Sequence, residues 1–126
     1  MPEYVKPRKR PEITPGVTYE AQTGCGTIYV TINEDEKGQP IEVFARLGKA
    51  GGCACAQTEA VGRLASLCLR CNVDPEEIIK QLIGIRCDRS YGVGKNAVYS
   101  CADAVAKILR EYLEEKRGEK RLEEQL

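Results

Sequence analysis

GVTYEAQTGCGTIYVTIN, residues 16–33, decides the fold. Val17, Tyr19 and Ala21 alternate with polar neighbours, and after a break Ile28, Val30 and Ile32 do the same. Successive side chains of an extended strand point to opposite faces, so each run has one face to bury and one to leave in water. Between the runs, Thr23-Gly24-Cys25-Gly26 supplies a tight connection, because glycine tolerates the positive φ angles that such turns demand. The polar stretch Asn33-Glu34-Asp35-Glu36-Lys37-Gly38 reads as a second turn. Ile41, Val43 and Ala45, with Phe44 and Leu47, then predict a third strand and complete an antiparallel meander.

After the break from Gly48 to Gly52 the period changes. Ala56, Ala60, Val61, Leu64, Ala65, Leu67, Cys68 and Cys71 recur at helical spacing and predict a helix over about residues 53–72. Asp74-Pro75-Glu76-Glu77 starts a second, short helix to Leu82 or Ile83: Asp74 caps, Pro75 suits the first turn, and Glu77 can reach back as in a capping box. Residues 84–98, around Arg86-Cys87-Asp88 and Tyr91-Gly92-Val93-Gly94, read as an ordered loop. Ser100, three residues before Asp103, caps a third helix through Ala104, Val105, Ile108, Leu109, Tyr112 and Leu113. The expected architecture is α+β, a small antiparallel three-stranded sheet followed by three helices packed on one face, over residues 16–113. Residues 1–15, with four prolines and Lys6, Arg8, Lys9 and Arg10, form an extended basic arm whose charges read as plain solvation. Residues 114–126 are nearly all charged, alternate in sign, and form a salt-bridged helix extension or tail.

Bulk properties narrow the function. A length of 126 residues suits one domain, and 42% hydrophobic residues with no Trp and one Phe leave a modest core that a metal crosslink would help. Nineteen basic residues cancel nineteen acidic ones, which disfavours nucleic acid as a partner. No stretch suits a membrane span or a signal peptide, so a cytoplasmic location is expected. Seven cysteines are an odd number for a disulfide framework, and the absence of histidine removes Cys-His pairs, Ser-His-Asp triads and His-based metal sites.

Four of those cysteines fall where elements begin or end: Cys25 in the turn, Cys53 at a helix start, Cys87 in the ordered loop and Cys101 opening the last helix. Structural zinc takes four ligands tetrahedrally and is satisfied by thiolates alone, and a helix N-terminus favours the thiolate. Each cysteine taken singly is better explained as small core filler than as a ligand; four together at element ends favour a metal. An iron–sulfur cluster has the same sulfur requirement. Cys68 and Cys71 match C-x-x-C, but near a helix C-terminus, where the dipole opposes a thiolate, so packing is the better reading. Cys55 receives no role. Lys95 after Gly92-Val93-Gly94 lacks the Ser/Thr and the preceding strand of a phosphate loop, and Glu34, Asp35 and Glu36 read as a solvated bend.

Thr23-Gly24-Cys25-Gly26, Asn33-Glu34-Asp35, Gly48-Lys49-Ala50-Gly51-Gly52-Cys53, Asp74-Pro75-Glu76-Glu77, Gly84-Ile85-Arg86-Cys87 and Ser100-Cys101-Ala102-Asp103, in that order, resemble the TSCPD domain family from about Tyr19 to Tyr112. The eponymous motif stands here as Tyr99-Ser100-Cys101-Ala102-Asp103, with Tyr for Thr and Ala for Pro. That family occurs at the C-terminal end of adenosylcobalamin-dependent, class II ribonucleotide reductases and as short stand-alone proteins. The resemblance reinforces Cys25, Cys53, Cys87 and Cys101 as ligands and implies an accessory role, since so small a core cannot house the reductase barrel.

Three functions compete at this point. The first is an accessory zinc module supporting deoxyribonucleotide synthesis, docking on a ribonucleotide reductase catalytic chain or another protein and not catalytic alone. The second is an iron–sulfur or thiol redox protein drawing in Cys55, Cys68 or Cys71. The third is a metal-free structural interaction domain. Pairing with a second copy is compatible with each.

Overall fold

A computed structural model describes residues 2–48 and 52–125. Strands β1 (Gly16–Thr23), β2 (Gly26–Glu34) and β3 (Pro40–Leu47) form one antiparallel sheet in the order β1-β2-β3. Helices α1 (Gly52–Arg70), α2 (Pro75–Leu82) and α3 (Cys101–Gln125) follow, giving the α+β arrangement read from the pattern. Thr23 pairs with Gly26 across the two-residue turn, and Ile28 pairs with both Ala21 and Leu47. The turn Gly24-Cys25 and the end of β3 therefore share one end of the sheet.

Ile28, Val30 and Ile32 are wholly buried on the inner face beside Val43 and Leu47. The third helix lies across that face with Ala104, Val105, Ile108, Leu109 and Tyr112, and α2 adds Ile78 and Ile79 from behind it. Helix α1 packs against β3 almost alone among the strands. It runs along the free edge: Ser66 Oγ accepts the Val43 N–H at 2.9 Å and donates to the Val43 carbonyl at 3.1 Å. Such a hydroxyl satisfies a donor and an acceptor that a further strand would otherwise take. The approach is close enough that a Cβ on Gly62 would lie 3.0 Å from the Val43 carbonyl oxygen, which is why glycine stands there.

Three local expectations need correction. The acidic turn after β2 is built into the fold, because it lies where α3 and the N-terminal arm both pass. Asp35 is 7% exposed, and its Oδ1 accepts the N–H groups of Lys37 and Gln39 at 2.9 Å each. Glu34 accepts the Tyr112 hydroxyl and an ion pair from Lys116. The arm is tethered as well as solvated: Arg8 reaches Asp35 at 3.1 Å and Arg10 reaches the buried Glu42 at 2.7 Å, while the Arg8 N–H donates to the Arg70 carbonyl. Burial alone would push the Asp35 and Glu42 carboxyls up, but these hydrogen bonds outweigh it and hold both below the usual range. Finally, Asp74 caps α2 through the Glu76 N–H, but Glu77 pairs forward with Lys80 and closes no capping box.

The charged extension is helical to Gln125, and its first turns are docked rather than free. Glu115 accepts the Tyr19 hydroxyl at 2.8 Å and Arg117 pairs with Glu76 at 2.7 Å. Cys68 packs partly against the core near the end of α1, and Cys71, half-buried, lies in the turn beyond it. No helix is long and apolar enough to cross a membrane among the described residues.

Candidate metal centre

The hairpin turn, the loop of residues 84–99 and the start of α3 meet at one corner of the molecule. Thr23, buried at the end of β1, organises the turn: its hydroxyl donates to the Gly26 carbonyl at 2.8 Å and accepts the Cys25 N–H at 3.1 Å. The Sγ of Cys101, the first residue of α3, lies 3.8 Å from the same oxygen. The loop closes over the turn so tightly that a Cβ on Gly24 would fall 1.7 Å from the Arg89 carbonyl oxygen. The glycine before Cys25 thus serves the contact between two segments as well as the turn itself.

The loop is held from below by Asp103, which is 0% exposed. One carboxylate oxygen accepts the Gly84 N–H at 2.8 Å, and the other accepts the Tyr99 N–H at 3.0 Å and the Lys107 ammonium at 2.7 Å. Burial works to raise this carboxyl, and those three partners more than compensate, leaving it below its ordinary value. Ser100 Oγ accepts the Asp103 N–H at 3.0 Å, so the expected cap is present while its acid points back into the loop. Tyr99 is held between cations, with Arg86 at 4.2 Å and Lys107 at 4.9 Å from its ring centre. Between these anchors the loop forms a bridge from Tyr91 to Val98 around a short 3-10 turn at Gly94–Asn96, and Lys95 there faces no phosphate-loop geometry.

Cys87 donates its N–H to the Tyr99 carbonyl at 2.9 Å, and its Sγ accepts the Arg89 N–H at 3.3 Å. The Cys25 thiol is pushed up, first by burial, then by the neighbouring charges of Cys101 and Cys87 and by a hydrogen bond with Cys101, while Arg89 opposes the rise. A divalent cation beside Cys25 would relieve that opposition to its ionisation.

Cys25, Cys87 and Cys101 are therefore brought together, and Cys53 is placed differently. It is exposed on the first turn of α1, and among the described residues it makes no hydrogen bond with the other three. It does enter from the same end of the sheet, since α1 begins five residues after Leu47, the partner of Ile28. The intervening residues 49–51 lie outside the described ones. Among the described residues, no three Cys, Asp or Glu side chains are already arranged as a metal site. Cys55, two residues further on, lies half-buried against the core.

Thr23, Arg89, Asp103 and Lys107 shape this corner and were not singled out as site residues from sequence. The spacing of Asp103 and Lys107, four apart on a helix, was the one available signal, and the others act across long separations. No curated protein and no solved structure is detectably similar to this chain. The TSCPD domain family matches residues 3–113, reaching from the tethered arm to the docked part of α3, and the chain belongs to that family.

Proposed function

We propose that this chain is a zinc-binding accessory module, with Cys25, Cys53, Cys87 and Cys101 as ligands, that supports deoxyribonucleotide synthesis and is not catalytic alone. The TSCPD family is related to class II ribonucleotide reductases. The observation that carries the reading is the meeting of three thiols from a hairpin turn, a loop and a helix start, each held by polar contacts of its own backbone or neighbours. The donor set fits zinc, which accepts thiolates alone. Bound zinc would act as a structural crosslink between the sheet and α3, and its binding energy would add to folding.

The test is anaerobic purification followed by metal analysis and a visible spectrum. One equivalent of zinc in a colourless protein, lost in Cys87→Ser and kept in Cys71→Ser, supports the ligand set. Equal metal retention in both variants rejects it. A brown protein would replace zinc by an iron–sulfur cluster, and no metal at all would leave an interaction domain with reduced cysteines. Co-elution with a class II reductase chain lacking its own copy of this domain tests the partner.

A further inference from the structure

The outer face of the sheet carries a feature independent of the thiol corner. An antiparallel sheet usually leaves this face to water. Here α1, seated on the β3 edge, forms a wall beside it, and the two enclose an open trough of about 1080 Å³. That is just above the usual range for small-molecule clefts, about 300–1,000 Å³.

Two kinds of side chain line it. Tyr29 and Phe44 lie diagonally across adjacent strands, since Tyr29 is paired with Arg46 and Thr31 with Phe44. Phe44 is 54% exposed, an unusual position for the chain's single phenylalanine, and offers a flat apolar surface. Arg46 from β3 and Arg63 and Arg70 from α1 supply cations around these rings. Arg63 and Arg70, seven residues apart, share one face of the helix and stand about 10 Å apart along it. Among the described residues Arg46 and Arg63 have no ion-pair partner, and the trough's buried Glu42 is already neutralised by Arg10. Glu59, four residues before Arg63, opposes the positive charge, and Glu42 also draws on Arg70.

A ring to stack on, with guanidinium groups lining the same trough, is complementary to a planar base joined to phosphates. We infer that the trough binds a free nucleoside polyphosphate, with the base on Phe44 and Tyr29 and the phosphates on Arg46, Arg63 and Arg70. A nucleic acid strand fits less well: the chain has no net charge, and strand binding draws on many phosphate contacts. Two or three arginines match the two or three phosphates of one nucleotide.

Calorimetric titration of the full chain with ATP, adenosine, inorganic triphosphate and a ten-nucleotide single strand tests this. Saturable ATP binding tighter than about 1 mM is expected, weakened about tenfold or more in Phe44→Ala. Arg63→Gln weakens ATP and leaves adenosine unchanged, and Glu59→Gln tightens ATP by removing a like charge. Because Phe44, Glu59 and Arg63 are exposed, these variants keep the fold. Absence of saturation, triphosphate binding as tight as ATP, or tighter binding of the strand than of ATP each overturns the inference. The titration is repeated on chelator-treated protein, so that failure of the metal reading and failure of this one are told apart.

Discussion

Replacing Asp103 by Ala tests how the thiol corner is held. The carboxylate is 0% exposed and satisfies the Gly84 and Tyr99 N–H groups and the Lys107 ammonium. Removing one partner of a buried, hydrogen-bonded ion pair costs about 3–5 kcal/mol. Two features place this site at the lower end. The Lys107 side chain is 33% exposed and keeps the Ala97 carbonyl as an acceptor, so its charge is not stranded. Gly84 lies at the surface, where water replaces the lost oxygen. The Tyr99 N–H, half-buried, bears the larger loss of about 1–3 kcal/mol. The expected destabilisation is about 3 kcal/mol by urea unfolding in the presence of chelator, which excludes any metal contribution. Asp103→Asn retains the shape and one acceptor and loses less. A double-mutant cycle with Lys107→Met isolates the ion pair, with a coupling of about 1–2 kcal/mol. If Asp103→Ala unfolds within about 1 kcal/mol of the wild type, the carboxylate does not anchor the loop.

Other outcomes follow from the same geometry. Ser66→Ala strips both partners from Val43, costs about 2 kcal/mol by urea unfolding and opens the β3 edge, which light scattering detects as association. Gly24→Ala forces the Arg89 carbonyl away from the turn, so it lowers metal affinity in a competitive chelator titration while leaving β2–β3 amide protection unchanged. Asp35 and Glu42 have depressed carboxyls, so their stabilisation is complete above the unfolded-state values near 4 and is lost as pH falls through the lower folded-state values. Acid unfolding should accordingly begin below about pH 4 to 5, and Glu42→Gln should flatten that part of the stability curve.

The strands and helices were legible because their signals are local. Ile28, Val30 and Ile32 repeat every second residue, and α3 announces itself with Ser100 three residues before Asp103. In the sequence the acidic turn and the arm look solvent-facing because their partners are remote: Arg8 finds Asp35 27 residues on, and Arg10 finds Glu42 32 residues on. No periodicity marks Gly62 and Ser66 as the residues that press α1 to a strand edge, since small residues on a helix suit any close neighbour. Of the four cysteines chosen for standing at element ends, three converge because those ends meet where the hairpin, loop and α3 cross. Cys53 sits on a helix that packs along the β3 edge, so it approaches that corner from a different element border than the other three.

The sealing of β3 by Ser66 and Gly62 leaves the sheet with a single growing side. On β1 the outward amides of Thr18 and Glu20 have no backbone acceptor among the described residues. Any recruited strand must add there, from a peptide or from a second copy. Two copies joined head to head through β1 would use up both open sides at once, so that route ends in a closed pair and cannot propagate into a filament.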